Sequence, residues 1–269
     1  MGSAYTEQSV SPHLGYAVRD IVTPESAFYY WTPECDEGVL LEHGEKEGFT
    51  YFPVKLNGVF KSVMKLDSLK SGDRDIVPLT SEWLIAADTP ILHLLKLFAQ
   101  DNTRNFFVLS SSEIIGMVSP ADLNRIPARA SIYLLVAHFE TLLTELIRQK
   151  IGETDEELSQ YLSENRVTKA TDLRDQERRV DLELPLIHYL NMFDLVEIIK
   201  HHDNLRKLLG FESKNSCNVL KFETVRNAIS HQNRLLINPN EDIKKIHADC
   251  NIMIESIEKM SKILKNPIT

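Results

Sequence analysis

An arginine and a histidine close together on one helix could handle a phosphodiester. Arg226, Asn227 and His231 lie in the stretch VLKFETVRNAISHQNRLLI, Val219 to Ile237. An imidazole with an ordinary pKa near 6.5 can take or give a proton at neutral pH. A guanidinium stays charged and fits phosphate oxygens in a two-pronged way. Asn227 and His231 are four residues apart, so a helix projects both from nearly one side. Arg226 is five residues before His231, about 140° round the axis and roughly 7.5 Å along it. On spacing alone, a solvated helix face is the commoner reading of these residues.

The element that must carry them reads as one amphipathic helix from Val219 to Ile237. Val219, Phe222, Val225 and Ile229 recur at three- and four-residue steps and should face a core.

The chain has 269 residues, enough for two domains of ordinary size. A hydrophobic content of 43% with 26% charged residues is that of a soluble globular protein. Residues 1–126 hold 10 Lys/Arg against 17 Asp/Glu, a net −7; residues 127–269 hold 20 against 22, a net −2. Neither half is a basic nucleic-acid-binding domain, so RNA would have to bind through local positive patches, with strong salt dependence. Cys35, Cys217 and Cys250 show no CxxC or zinc-ligand spacing, which points to a reducing compartment without a disulfide framework. His201 and His202 are adjacent rather than four apart and make a poor metal pair, and no metal is expected. No apolar run is expected to span a membrane. The opening MGSAYTEQ lacks a signal pattern, so a cytoplasmic location is expected.

Residues 1–16 read as a polar tail. From Ala17 two similar units follow. The first has apolar pieces at Ala17–Val22 and Ala27–Tyr30, a short helix over Gly38–His43, and strands at Tyr51–Leu56 and Val59–Val63 joined by an Asn57-Gly58 turn. The second has a strand at Trp83–Ala86, then a helix with Thr89 as N-cap, Pro90 at its first position and a stripe of Ile91, Leu94, Leu95 and Phe98. Strands at Asn105–Leu109 and Ile114–Val118 follow, and a helix starts at Ser119-Pro120. Two such units of about fifty residues make an internal repeat.

The stretch LIAADTPILHLLKLFAQDNTRNFFVLSSSEIIGMVSPADLNR resembles a CBS domain, and residues 17–126 resemble a tandem CBS pair, or Bateman module. The resemblance implies an α+β fold with an adenine nucleotide (AMP, ADP, ATP or a relative) bound between the repeats as a regulatory ligand. The family's ribose-phosphate motif reads here Gly116-Met117-Val118-Ser119-Pro120-Ala121-Asp122. It implies that Asp122 accepts from ribose hydroxyls and that Ser119 bonds phosphate or ribose at a helix N-terminus. The same residues also read as a ligand-free cap, with Ser119 as N-cap, Pro120 at N1 and Asp122 at N3. Counted from Gly58, the first unit offers Lys61 and Met64 at the Ser/Thr and Asp positions, so one asymmetric site is expected.

Pro127 reads as the boundary. From Ala128 a wide stripe of Ile132, Leu135, Val136, Phe139, Leu142, Leu143, Leu146 and Ile147 predicts a helix ended by Gly152, with His138 and Glu140 among the apolar residues. Thr154 should cap a short acidic helix. Residues 164–183 read as a loose excursion or a surface hairpin, with RDQERR at 174–179 a solvated face. Helices are expected over Pro185–Leu209, with Leu186, Leu190, Phe193, Val196, Ile199 and Leu205 facing inward, over the Val219 stretch, and, after a turn at Asn238-Pro239-Asn240, over Glu241–Leu264. That makes residues 127–269 an all-α four-helix bundle.

This half resembles the HEPN superfamily, whose mark is Arg, a polar residue, then His, on the third helix of a four-helix bundle. Arg226, Asn227 and His231 match it, and Glu140 in the phrase HFETLL matches a first-helix Glu common in the family. The resemblance implies a homodimeric, metal-independent endoribonuclease. In it His231 would move the proton of a ribose 2′-hydroxyl or of the leaving oxygen. Arg226 would hold the phosphate, Asn227 would orient it, and the product would carry a 2′,3′-cyclic phosphate. Asn233 stands where one toxin subgroup has a modifiable Tyr. Together the halves imply a nucleotide-regulated RNase that takes an RNA substrate, in a setting such as bacterial defence or toxin–antitoxin stress response, where a separate antitoxin would be a further partner. The competing reading is a nucleotide-sensing module on a non-catalytic helical dimerisation or adaptor domain.

Overall fold

The structure is a computed structural model that describes residues 15–178, 184–230, 235–237 and 243–265. His231, Asn233, the Asn238-Pro239-Asn240 turn and most of the N-terminal tail lie outside the described residues. The described residues form two units. One takes in Gly15–Ala130 with Leu236–Ile243, the other Ser131–Leu235 with Lys244 onward.

The first unit is built from β1 (Thr23–Pro24), α1 (Glu37–Glu47), β2 (Tyr51–Leu56), β3 (Val59–Lys65), α2 (Leu66–Ser71), β4 (Ile76–Pro78), β5 (Leu84–Ala86), α3 (Ile91–Gln100), β6 (Phe106–Ser110) and β7 (Glu113–Val118). A short 3-10 turn, Pro120–Asn124, follows β7. The expected repeat is present. One sheet runs β2-β3-β4 and the other β1-β7-β6-β5, with β5 and β6 parallel. In each repeat the last strand of the hairpin pairs with a short strand from outside that repeat's own helix and hairpin. β4 pairs with β3, and β1 pairs with β7.

The local causes are plain. Asn57 and Gly58 both take positive φ, 51° and 78°, which suits the tight hairpin between β2 and β3. Asp36 caps α1 by accepting from the Gly38 and Val39 N–H groups. The α3 helix starts one residue later than expected, because Pro90 occupies the N-cap position. Its stripe of Ile91, Leu94, Leu95 and Phe98 is buried as expected. Trp31, Leu40, Phe52, Val54 and Met64 form the core of the first repeat. Phe60 and Val63 of β3 meet Phe107 of β6 in a second apolar cluster. Asn124 closes a pair of hydrogen bonds with Ile237, its Nδ2 donating to the carbonyl at 2.9 Å and its Oδ1 accepting from the N–H at 2.8 Å.

The second unit is helical. The α4 helix (Ile126–Lys150) supplies its residues from Ser131 on. Then come α5 (Asp155–Ser159), α6 (Glu164–Arg178), α7 (Met192–His201), α8 (Asp203–Leu208), α9 (Glu223–Ser230) and α10 (Ile243–Lys265). Thr154 caps α5 as expected, exchanging hydrogen bonds with Glu157. By length and composition alone the α4 helix could cross a membrane. Its stripe is nonetheless spent on packing. Leu135, Phe139, Leu143 and Leu146 are fully buried, and Phe139 meets Phe222 edge-to-face at 5.1 Å.

Three expectations for this unit need correction. The helix expected over Pro185–Leu209 is three pieces, a 3-10 turn Leu186–Tyr189, α7 and α8. Asn191 caps α7 and His202 caps α8, so a new N-terminus opens at each. Residues 164–178 are one helix. Arg166 makes a two-pronged ion pair with the buried Asp194, and Arg174 makes another with Asp155, both arms at 2.7 Å. At least Arg174 therefore leaves the solvated face expected for it. The third correction bears on the site and follows.

Candidate functional site

The expected helix Val219–Ile237 does not start at Val219. Asn215–Lys221 is a 3-10 helix, and Phe222 then takes the left-handed conformation, φ 44° and ψ 44°. A non-glycine residue there costs roughly 1–2 kcal/mol. Burial explains it: Phe222 is 2% exposed, with its ring on Phe139. Turning the backbone at Phe222 puts the ring inside and leaves Val219 38% exposed, against the expectation that it faces the core. The α9 helix then runs Glu223–Ser230, with Val225 buried as expected. Leu235–Ile237 is not helical.

This start places Arg226 on the first turns of α9, half-buried, and Asn227 beside it, exposed. The Arg226 guanidinium lies over the Phe193 ring of α7, 4.7 Å from its centroid. Among the described residues Arg226 makes no ion pair. Glu140 of α4 is half-buried near it. Burial pushes the Glu140 carboxyl up, and the charge of Arg226 partly opposes that rise. The structure thus brings Glu140 and Arg226 into one electrostatic neighbourhood, with Asn227 one step along α9. Two residues from Glu140, the His138 Nε2 is buried with no partner among the described residues, and burial lowers that ring's pKa.

Sequence reasoning missed the α7 face beneath Arg226. Lys221 stands 5.6 Å from the same Phe193 centroid and pairs with Glu197 at 3.3 Å. Burial works to raise the Glu197 carboxyl, but hydrogen bonds from Lys200 and Lys221 bring it below the ordinary value. Phe193 and Glu197 are four apart, so α7 presents both on one side; the sequence counted Phe193 only as an inward residue of a longer helix. A cavity of about 480 Å³ opens at the start of α9, lined among others by Asn218, Lys221, Thr224 and Asp249. Neither Arg226 nor Asn227 lines it.

In the first unit, Gly116, Ser119 and Asp122 fall together at the end of β7. Gly116 faces Pro24 of β1, and a Cβ there would lie 2.3 Å from the Thr23 carbonyl oxygen. Its lack of a side chain lets β1 approach. Ser119 is the N-cap of the turn and Pro120 sits at N1, as expected. The Asp122 carboxylate accepts from the Ser119 N–H at 2.7 Å and the Ser119 hydroxyl at 2.9 Å. The Thr23 hydroxyl donates to it at 3.1 Å, and Arg125 pairs with it at 2.8 Å.

Register corrects the comparison of the repeats. Pro24 of β1 faces Gly116, and Pro78 of β4 faces Ser62. Ser62 is therefore the counterpart of Gly116, while Gly58 belongs to the hairpin turn. Lys65 and Ser68, rather than Lys61 and Met64, stand where Ser119 and Asp122 do. The Ser68 hydroxyl accepts from the Asp75 N–H at 2.6 Å, and no carboxylate occupies that position. A second cavity, about 530 Å³, is lined by Ala86, Asp88, Leu109 and Ser111 among others. It lies at the hairpin end of β6, opposite the end where Phe106 pairs with Val118 beside Ser119.

No protein-family model matches the sequence, and no curated protein matches it. Solved structures similar to the chain carry CBS domains. CBSX2 in complex with AMP is 17% identical, with a TM-score of 0.34, over 40% of this chain and 93% of that one. CBSX2 from Arabidopsis thaliana is 19% identical, with a TM-score of 0.32, over 40% and 92%. The CBS domain of a bacterial CNNM/CorC family Mg2+ transporter in complex with ATP is 18% identical, with a TM-score of 0.33, over 40% and 84%. Likeness at this level decides neither fold nor ligand; strand order and register establish the repeat.

Proposed function

We propose that the protein is an adenine-nucleotide-regulated, metal-independent endoribonuclease, with a CBS-type nucleotide module in its first unit and a HEPN-type site in its second. The observation that carries the nuclease reading is Arg226. Its guanidinium is held over Phe193, beside the half-buried Glu140, with no ion pair among the described residues. A half-buried guanidinium whose N–H donors no carboxylate takes up can donate them to a phosphate. Asn227 is exposed one residue along and can reach the same ligand. His231 follows five residues after Arg226 in the sequence and supplies the titratable ring.

In this reading Arg226 grips the scissile phosphate and stabilises the charge that develops on its oxygens. His231 takes the 2′-hydroxyl proton or returns one to the leaving 5′-oxygen. Asn227 orients the phosphate, and Glu140 sets the field around Arg226. Attack by the 2′-oxygen breaks the bond to the 5′-oxygen and leaves a 2′,3′-cyclic phosphate. A homodimer supplies the site from two chains, and the protein works in the cytoplasm, in a defence or antitoxin-controlled setting.

The test is cleavage of RNA in excess EDTA, with the new 3′ ends identified. Wild type should yield 2′,3′-cyclic phosphate ends, and His231→Ala should lose at least about a hundredfold in rate. Equal cleavage by the two, or none by either, removes the enzyme reading. The second reading, a nucleotide-sensing module on a non-catalytic helical dimer, is favoured by the net charge of −9 and would then stand.

A further inference from the structure

A carboxylate offers about four lone-pair positions, two on each oxygen, and those of Asp122 are all taken. Its Oδ2 accepts from the Ser119 N–H and the Ser119 hydroxyl. Its Oδ1 accepts from the Thr23 hydroxyl and from Arg125 Nη2. That same Nη2 donates to Thr23 Oγ1 at 2.6 Å, and Arg125 Nη1 donates to the Val22 carbonyl at 3.0 Å. A ribose using Asp122 must therefore displace a donor. The Ser119 donors belong to the turn itself, and Thr23 sits in β1. The Arg125 side chain is 42% exposed while that of Asp122 is 10% exposed. Once released, the guanidinium returns to water, and an ion pair this exposed contributes little. Arg125 is the donor that yields most readily.

We propose that Arg125 is a latch over the Asp122 carboxylate, and that ribose hydroxyls bind by releasing it. This rests on the nucleotide reading above and adds how that site is regulated. The repeat offers an internal contrast. Where Asp122 and Arg125 stand in the second repeat, the first has Ser68 and Ser71, and the Ser71 hydroxyl donates back to the Ser68 carbonyl. The aspartate and the arginine are absent together.

The latch has a consequence for α4. Arg125 immediately precedes Ile126, its first residue. While latched, Arg125 ties the head of α4 to Val22 and Thr23; released, it lets go. The helix contributes residues to both units, so the ligand's preference for the released state is a physical input that α4 can carry. The latch also lowers apparent affinity by the fraction of molecules in which it is open.

The test is calorimetric titration of the full chain with AMP and with 2′,3′-dideoxy-AMP, for wild type, Arg125→Ala and Arg125→Gln. The glutamine variant keeps a donor for the Val22 carbonyl and covers any failure of the alanine variant to fold. Loss of the latch should tighten AMP binding by about two- to fivefold and leave binding of the dideoxy analogue unchanged. Equal tightening of both nucleotides overturns competition with the ribose. Unchanged AMP binding overturns the latch, and weaker binding overturns it by making Arg125 a phosphate ligand. Absence of AMP binding in all three proteins removes the nucleotide reading itself, and the latch with it.

Discussion

The Arg226 guanidinium sits over the Phe193 ring, 4.7 Å from its centroid, so a cation on α9 is positioned by an aromatic face on α7. A cation over a ring gains about 0.5–2 kcal/mol, more as water is excluded. Phe193→Leu keeps most of the bulk and removes the ring's negative face. It should lower kcat for RNA cleavage about tenfold with a small change in Tm. A Tm loss matched by no change in kcat would make Phe193 a packing residue only.

Glu140 gives a pH signature. Burial raises its folded pKa above the unfolded value of about 4.3. The folded state then holds the proton more tightly, so this group's contribution is full below the unfolded value and is lost as pH rises through the folded one. Glu140→Gln cannot titrate. Its Tm relative to wild type should therefore climb as pH is raised from about 4 to about 7, read by thermal melts across that range. A constant difference would contradict the assignment.

Gly116 separates a steric role from a ligand role. A methyl group there meets the Thr23 carbonyl oxygen at 2.3 Å, which backbone cannot yield without movement. Gly116→Ala should destabilise the chain by roughly 1–3 kcal/mol and loosen the pairing of β1 with β7, seen as faster hydrogen exchange at Thr23. Unchanged stability would mean that β1 does not sit against β7 as described.

These outcomes show what could be read in advance. The repeat was legible because its turn and caps are local, as at Asn57-Gly58 and Ser119-Pro120. The left-handed Phe222 was not, because nothing short-range tells a phenylalanine to leave the helix; the pull is its burial on Phe139, far away in sequence. The break at Asn191 was passed over because Leu190, Val196 and Ile199 keep a helical rhythm across it, although Asn191 and Asp194 make a capping box there. Phe193 was seen as core and not as the seat of Arg226, since only the packing of α7 with α9 shows that. The register of the first repeat was misjudged by anchoring on Gly58, a turn glycine, when strand pairing picks out Ser62.

Asp194 ties α6 to α7. Its side chain is 4% exposed, accepts both arms of Arg166 and also caps α7 through the Asn191 N–H. Asp194→Ala should cost roughly 2 kcal/mol or more, from a lost cap and a lost charge-assisted pair, measured by urea unfolding. The α6 helix should then show the largest gain in hydrogen exchange. A loss within 0.5 kcal/mol or so would mean α6 is held by something other than this pair.

The most direct measurement is the initial rate of RNA cleavage by the full chain in EDTA as AMP is titrated, for wild type, Asp122→Ala and Arg226→Ala. The account predicts a wild-type rate that changes with AMP in a saturable way and an Asp122→Ala rate indifferent to AMP. It also predicts an Arg226→Ala rate lower by about a hundredfold or more at every AMP concentration. An Arg226→Ala protein that cleaves like wild type, or a wild-type rate that is flat in AMP, would contradict it.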